Sequence, residues 1–356
     1  MHSLTHSYSI YGPSNRLQAV VVYEHGDASK LTYVEDHPVP AVKDGHILVK
    51  NSFAGLNFID TYFRKGLYKQ PLPFVAGQEG GGTVVAVPSD ADAGFVVGDE
   101  VAYMAMGSYC EYTVVPIGRA VKVPQGMSME VAIAAMVQGL TGHYLAKSAV
   151  ANCIERDQWC LVYSVASGTG KWAAQIAQQL CGYKVIGTCA KSKDVETARK
   201  LCDELIVLDT VPDKSYSDYT SVDIVNKVVQ DITGGAGCHA IIDGVGKSTA
   251  DISLQCLARR GIWISFGNAS GAVPDVSPLK LVPKSAFMTR PKLNDYIATT
   301  TELQQRWTEL SEWILNSTVN GGVKVDIDKV FPLKEATEGH LHIETGKTTG
   351  KVLFSL

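Results

Sequence analysis

Short apolar runs separated by Pro, Gly and Asp clusters fill the first third of the chain, at residues 18–24, 30–35, 46–50, 82–87, 100–104 and 109–115. Runs of this length with turn punctuation predict a compact barrel or sandwich-like β domain. At Met127 the pattern changes: Ser128 and Glu130 make a capping-like start to the helical stretch 131–136. A second helix then leads toward a glycine turn.

At that turn an apolar strand around Leu161 and Val162 runs into Ser164, Ser167, Gly168, Thr169 and Gly170, after which the apolar spacing is helical. A helix entered this way directs its unpaired N–H groups and positive dipole end into the turn, which favours a phosphate. The pattern departs from Gly-x-Gly-x-x-Gly, because serines stand where small residues and a glycine are expected. Taken alone, the turn also fits an ordinary strand-to-helix connection.

Its context favours the nucleotide reading. Strands are predicted at 184–189, 204–208, 240–243, 261–266 and 286–289, with helices near 195–201, 223–232 and 248–257. Six strands with crossover helices make a doubly wound parallel sheet, and the glycine turn follows its first strand, where such sheets bind dinucleotides. Beyond it, an amphipathic helix at 301–316 carries Leu303, Trp307, Leu310 and Ile314, most simply as core. A strand at 323–327, a helix at 333–343 and a strand at 351–354 then return to the texture of the first domain. The division expected is a tail at 1–16, a discontinuous β-rich domain at 17–140 and 291–356, and a dinucleotide domain at 141–290, with a cleft between the two.

Composition narrows the function classes. Over 356 residues, 46% are apolar and 19% charged, and the formal net charge is −4, which gives no basic footprint for nucleic acid. No stretch approaches the roughly 18 apolar residues of a membrane span. Eight cysteines lie without C-x-x-C spacing, most of them inside predicted elements, so reduced buried thiols and a reducing, cytoplasmic setting are expected. Residues 1–14 lack the apolar core of a secretory signal.

The segment from Gly55 through Asn57, Asp60 and Tyr62 to Tyr68 resembles the signature of the quinone oxidoreductases, the zeta-crystallin-like branch of the medium-chain dehydrogenase/reductases. The segments 77–84, 139–142, 243–246, 264–271 and 289–291 match the same family in the same order. The resemblance implies an α/β protein with a doubly wound parallel Rossmann sheet, a discontinuous GroES-like β-rich substrate domain and a homodimer. It further implies hydride transfer from NADPH to a small-molecule quinone without metal. Asn57, Asp60, Tyr62 and Tyr68 would then line the nicotinamide and substrate side, and Thr141, Gly170, Val245, Phe266, Gly267 and Arg290 would hold the cofactor. Zinc-dependent relatives carry Gly-His-Glu where this chain has Gly77, Gln78 and Glu79, and Asn57 stands in the segment of their cysteine ligand. Glutamine and asparagine are poor zinc ligands.

The second strand ends not on the acid that holds a ribose 2′-hydroxyl but on Lys191, Ser192 and Lys193, which suit a 2′-phosphate and hence NADPH. The same lysines also fit a solvated loop. Tyr62 and Tyr68 are candidate proton donors by position, or packing aromatics. Asn57 and Asp60 fit either a site or local ties between side chain and backbone. Rival readings are an NADPH-dependent enone or enoyl reductase on the same fold, and a crystallin or weak RNA-binding role.

Overall fold

The computed structural model describes residues 16–88, 94–189, 195–208, 222–316, 323–346 and 348–356. Of the expected tail at 1–16, only Arg16 lies among them, as the first residue of a strand. The chain divides into two units, Met1–Val137 with Val325–Leu356, and Gln138–Lys324.

The first unit is β-rich, as its turn-punctuated apolar runs predict. It contains β1 (Arg16–Val22), β2 (Leu31–Pro38), β3 (His46–Leu56), β4 (Phe74–Val75), β5 (Glu79–Ala86), β6 (Glu100–Met104), β7 (Tyr112–Pro116) and β8 (Ala120–Lys122). Two strands from late in the chain, β15 (Ile327–Pro332) and β16 (Lys351–Ser355), complete it. The larger sheet runs β15-β16-β3-β5-β6-β8, with β7 also pairing β3, and a smaller sheet runs β2-β1-β4. β3 is the central element, since β16, β5 and β7 all pair antiparallel with it. Its inward residues Ile47, Val49, Ala54 and Leu56 are fully buried. Helices α1 (Phe58–Arg64), α2 (Met129–Ala134) and α10 (Ala336–Glu344) belong to this unit.

In the second unit the sheet contains β9 (Trp159–Val162), β10 (Lys184–Cys189), β11 (Glu204–Val207), β12 (Cys238–Asp243), β13 (Leu257–Ser265) and β14 (Phe287–Thr289). All pair parallel in the order β11-β10-β9-β12-β13-β14. The order reverses between β9 and β12, the switch point at which doubly wound folds bind dinucleotides. Central strands covered on both faces are apolar throughout: Cys160, Leu161 and Val162 of β9 and Ala240, Ile241 and Ile242 of β12 are buried. Crossover and flanking helices are α3 (Leu140–Lys147), α4 (Gly168–Gln175), α5 (Val195–Arg199), α6 (Val222–Asn226), α7 (Ala250–Cys256), α8 (Leu293–Tyr296) and α9 (Thr300–Asn316).

Two boundaries differ from the sequence reading. Residues 291–324, assigned from the sequence to the β-rich domain, fall in the second unit, because α9 packs on α3. Leu303, Trp307, Leu310 and Ile314 are buried there. Arg306 reaches His143 Nδ1 at 3.1 Å, and His143 Nε2 lies 2.9 Å from Glu309. A guanidinium only donates, so Nδ1 is the bare nitrogen and Nε2–H donates to Glu309. The strand expected at 323–327 begins instead at Ile327, since Gln175 accepts the backbone N–H of Lys324 at 2.8 Å and removes it from any ladder. All eight cysteines are free thiols, six of them buried.

Candidate active site

The turn between β9 and α4 is built from small residues under tight constraint. Ser164 adopts a left-handed backbone, φ 53°, and its N–H donates to Thr188 Oγ1 at 2.9 Å. Ser167 stands at the N-cap of α4 and accepts the Gly170 N–H at 3.2 Å. A β-carbon at Gly170 would lie 2.2 Å from the Ser164 carbonyl oxygen and 2.8 Å from Ser167 Oγ, so only glycine lets the turn close. Gly168 and Thr169 form the first residues of α4, whose N-terminus faces the turn. Serine in place of the expected glycine thus supplies a cap.

The neighbouring strand ends on the same edge of the sheet carry further residues expected on the cofactor side. After β12, the fully buried Asp243 carboxylate accepts the N–H groups of Val245 (2.9 Å) and Gly246 (3.1 Å), the hydroxyls of Thr249 (2.8 Å) and Ser253 (3.2 Å), and Trp263 Nε1–H (3.1 Å). Burial raises its pKa, and these donors oppose the shift. Val245 is itself buried in the core, with its carbonyl held by Ser270 N–H at 2.8 Å. Phe266 and Gly267 follow β13, and the Phe266 N–H donates to the Asp243 carbonyl at 2.8 Å. Arg290, after β14, donates to the carbonyls of Ser265 (2.8 Å) and Gly267 (3.0 Å), which ties down the β13 loop. Thr141 is buried on α3, against which α4 packs. Lys191, Ser192 and Lys193 lie outside the described residues.

In the β-rich unit, Asn57 and Asp60 stand together at the start of α1, where the Asn57 N–H donates to Asp60 Oδ2 at 2.8 Å in a capping-box arrangement. Both are buried, at 3% and 4% exposure, so they form part of a sealed polar floor. Tyr109 OH (3.0 Å) and Gln78 Nε2 (3.3 Å) also donate to Asp60. Burial pushes the Asp60 carboxyl up to about 6, against the pull of the Asn57 and Tyr109 hydrogen bonds. Asn57 Nδ2 donates to Glu79 Oε1 at 2.6 Å, Lys351 Nζ donates to Asn57 Oδ1 at 2.8 Å, and Lys351 also pairs directly with Glu79. Gly55 makes room for this cluster, because a β-carbon there would meet Glu79 Oε1 at 2.2 Å.

Tyr62 on α1 and Tyr68 just beyond it belong to an aromatic group. Their rings meet edge to face at 5.5 Å, with Phe58 against Tyr62 at 5.7 Å and Phe63 against Tyr68 at 5.6 Å. Tyr68 is 37% exposed. At its other end α1 is anchored by the buried Arg64, which donates to His340 Nδ1 (2.9 Å) and Glu344 (2.8 Å) of α10. Burial beside that guanidinium pushes His340 down to about 3 and keeps it neutral. His342 turns instead to Asp328 at 2.7 Å.

Sequence reasoning missed Glu79, Tyr109 and Lys351 as members of the site. For Lys351 no local signal was present, since it stands at the start of β16, where a lysine ordinarily reaches solvent. Among the described residues, no group of three His, Cys, Asp or Glu side chains is placed to hold a metal ion.

Sequence comparisons agree with this architecture. The family described as "Alcohol dehydrogenase GroES-like domain" matches residues 43–125, and that described as "Zinc-binding dehydrogenase" matches 209–353. A probable quinone oxidoreductase of Schizosaccharomyces pombe is 35% identical over 99% of this chain and 97% of its own length. The Escherichia coli quinone oxidoreductase, solved as its NADPH complex, superposes with a TM-score of 0.83 at 34% identity, over 95% of this chain and all of the other. A mycobacterial protein, also solved with NADPH, gives 0.85 at 34% identity with the same coverage. The chain therefore belongs to the quinone oxidoreductase family of the medium-chain dehydrogenase/reductase superfamily.

Proposed function

We propose that this protein reduces quinones with NADPH. The observation that carries the reading is the turn from Ser164 to Gly170, at the switch point of a six-stranded parallel sheet and on the N-terminus of α4. Its fit to a dinucleotide rests on place: the turn lies at a strand end beside the switch point and opens α4, whose N-terminal N–H groups and positive dipole end suit a phosphate. When bound, NADPH supplies the hydride. The protein's own residues bind, orient and keep water away.

The turn and α4 take the phosphates. Asp243 and Arg290 hold the loops after β12 and β13 in fixed positions beside them. Lys191, Ser192 and Lys193 favour the 2′-phosphate by charge. In the β-rich unit the buried Asn57 and Asp60 give α1 a rigid start, and Tyr62 and Tyr68 offer flat apolar rings to a planar acceptor. The proton that accompanies the hydride comes from water or a tyrosine hydroxyl.

β14 is the outer strand of its sheet, and the exposed Leu279, Val282 and Phe287 precede or lie on it. That edge favours pairing with a second copy, which sedimentation at micromolar concentration reads directly.

The test is steady-state NADPH oxidation with a panel of quinones and enones, repeated with NADH and with Lys191 and Lys193 changed together to Ala. Quinones are expected to turn over faster than enones, and the double variant to raise the NADPH constant alone. Turnover of enones with no quinone activity would replace this reading with that of an enone reductase.

A further inference from the structure

The β-rich unit buries two carboxylates, Asp60 and Glu79, and one ammonium, Lys351, within a single hydrogen-bonded cluster. Glu79 is 0% and Lys351 1% exposed. The three side chains of Asn57, Glu79 and Lys351 close a ring: Lys351 donates to Asn57 Oδ1, Asn57 Nδ2 donates to Glu79 Oε1, and Lys351 donates to that same Oε1. The second oxygen of Glu79 accepts the Val137 N–H at 2.8 Å.

This ring admits one orientation of the Asn57 amide. Turned over, it would set its NH2 group against the ammonium and its oxygen against the carboxylate. The ammonium and the carboxylate together fix the amide, which in turn stands at the N-cap of α1, directly before the helix that carries Asp60 and Tyr62. The side chain comes from far away in sequence, on β16, and reaches the site because β16 pairs with β3 through Val352 and Leu56. A lone lysine buried among apolar strand residues Val352, Leu353 and Phe354 costs more than any of them would, unless its charge is used.

We propose that Lys351 is a positioning residue of the active site: its ammonium, together with the Glu79 carboxylate, fixes the Asn57 amide at the head of α1, the helix that carries Asp60. The proposal rests on the reading of the protein as an NADPH-dependent reductase. The charged and titratable groups that bear on Asp60 are Glu79 from β5, Tyr109 from the segment before β7, and Lys351 from β16. Among these Lys351 alone is a cation, and it opposes the upward push of burial and of Glu79.

The experiment compares wild type with Lys351→Met and with the neutral pair Lys351→Met plus Glu79→Gln. Melting temperature, NADPH affinity by fluorescence titration, kcat, KM and the pH profile of kcat/KM are measured for each. A purely structural ion pair is relieved when both charges are removed together. The proposal expects the neutral pair to regain the melting temperature and to bind NADPH like wild type. Its kcat should nonetheless stay about tenfold or more below wild type, and the acid limb should move up in Lys351→Met, where the push of Glu79 on Asp60 is left unopposed. A neutral pair with wild-type kcat overturns it.

If neither variant folds, the wild-type protein still decides. In lysine-15N NMR, the slowly exchanging ammonium of a buried lysine should shift as Asp60 titrates near pH 6 and stop doing so in Asp60→Asn. An ammonium signal that is flat through that range overturns the proposal. Wild-type protein inactive on every quinone and enone would defeat the functional reading instead, and the ammonium titration would still stand as the measure of this one.

Discussion

Ser167 Oγ accepts the N–H of Gly170 at 3.2 Å, so the turn proposed to take a dinucleotide phosphate is capped by its own side chain. A glycine at this position would leave that donor open. Ser167→Ala should lower stability by about 1 kcal/mol through loss of the cap, seen as a melting temperature about 2–4 °C lower. Ser167→Gly should cost only a few tenths of that and leave NADPH affinity unchanged or tighter. Weaker NADPH binding in the glycine variant would mean that the hydroxyl itself contacts the cofactor.

Asp243 gathers donors from the loop after β12, from α7 and its N-cap, and from β13 on one carboxylate, and replacing it with Asn turns an amide NH2 toward groups that can only donate, Trp263 Nε1–H among them. A stability loss of about 1–3 kcal/mol is expected for Asp243→Asn. NADPH affinity should fall as well, because Val245 and Gly246 lose their anchor beside the cofactor site. Denaturant melts and fluorescence titration read the two effects separately, and a stability loss with affinity intact would limit Asp243 to the core.

Asp60 gives the protein a pH dependence of definite sign. Its carboxyl titrates near 3.8 when unfolded and is pushed up to about 6 in the fold, so between those values the folded state holds the extra proton. Stability from this group is present below pH 3.8 and is lost as the pH rises through 6, with a span of about 3 kcal/mol. Denaturant melts from pH 4 to 7 should show this decline in wild type and its absence in Asp60→Asn. A wild-type curve that instead gains stability over that range, relative to the variant, would show that the hydrogen bonds from Asn57 and Tyr109 outweigh burial.

The two tyrosines are expected to act by placement. Tyr62→Phe and Tyr68→Phe keep the edge-to-face contacts at 5.5–5.7 Å and should change kcat only a few-fold, whereas the Ala variants should lose more. A general acid contributes roughly 10²–10⁴-fold. A hundredfold drop in either Phe variant with NADPH affinity intact would identify that tyrosine as the proton donor.

The doubly wound sheet was legible because its strands are covered on both faces and read as continuous apolar runs, as in Cys160 to Val162 and Ala240 to Ile242. The placement of α9 was not, since Leu303, Trp307 and Leu310 at helical spacing say that a face is buried without saying against what. The polar floor under α1 was half legible. Asn57 and Asp60 sit in a local pattern around a helix start, while Glu79 and Lys351 come from strands whose pairing with β3 no local pattern reveals. Serine at 167 looked like damage to a glycine motif and proves to be a cap, a role visible from the sequence only once the helix start is known.

The ring of Asn57, Glu79 and Lys351 joins side chains separated by as many as 294 positions, whereas the dinucleotide unit is one continuous segment. The two should therefore mature on different schedules. Gln138–Lys324 can complete its sheet from its own residues, but α1 and β5 carry the carboxylates of Asp60 and Glu79, which lack the Lys351 cation until β16 docks. Until then Asn57 and Glu79 stay hydrated and α1 has no fixed start. In refolding from denaturant, capacity to bind NADPH should return first and turnover later, with the lag set by closure of the long loop that brings Lys351 home.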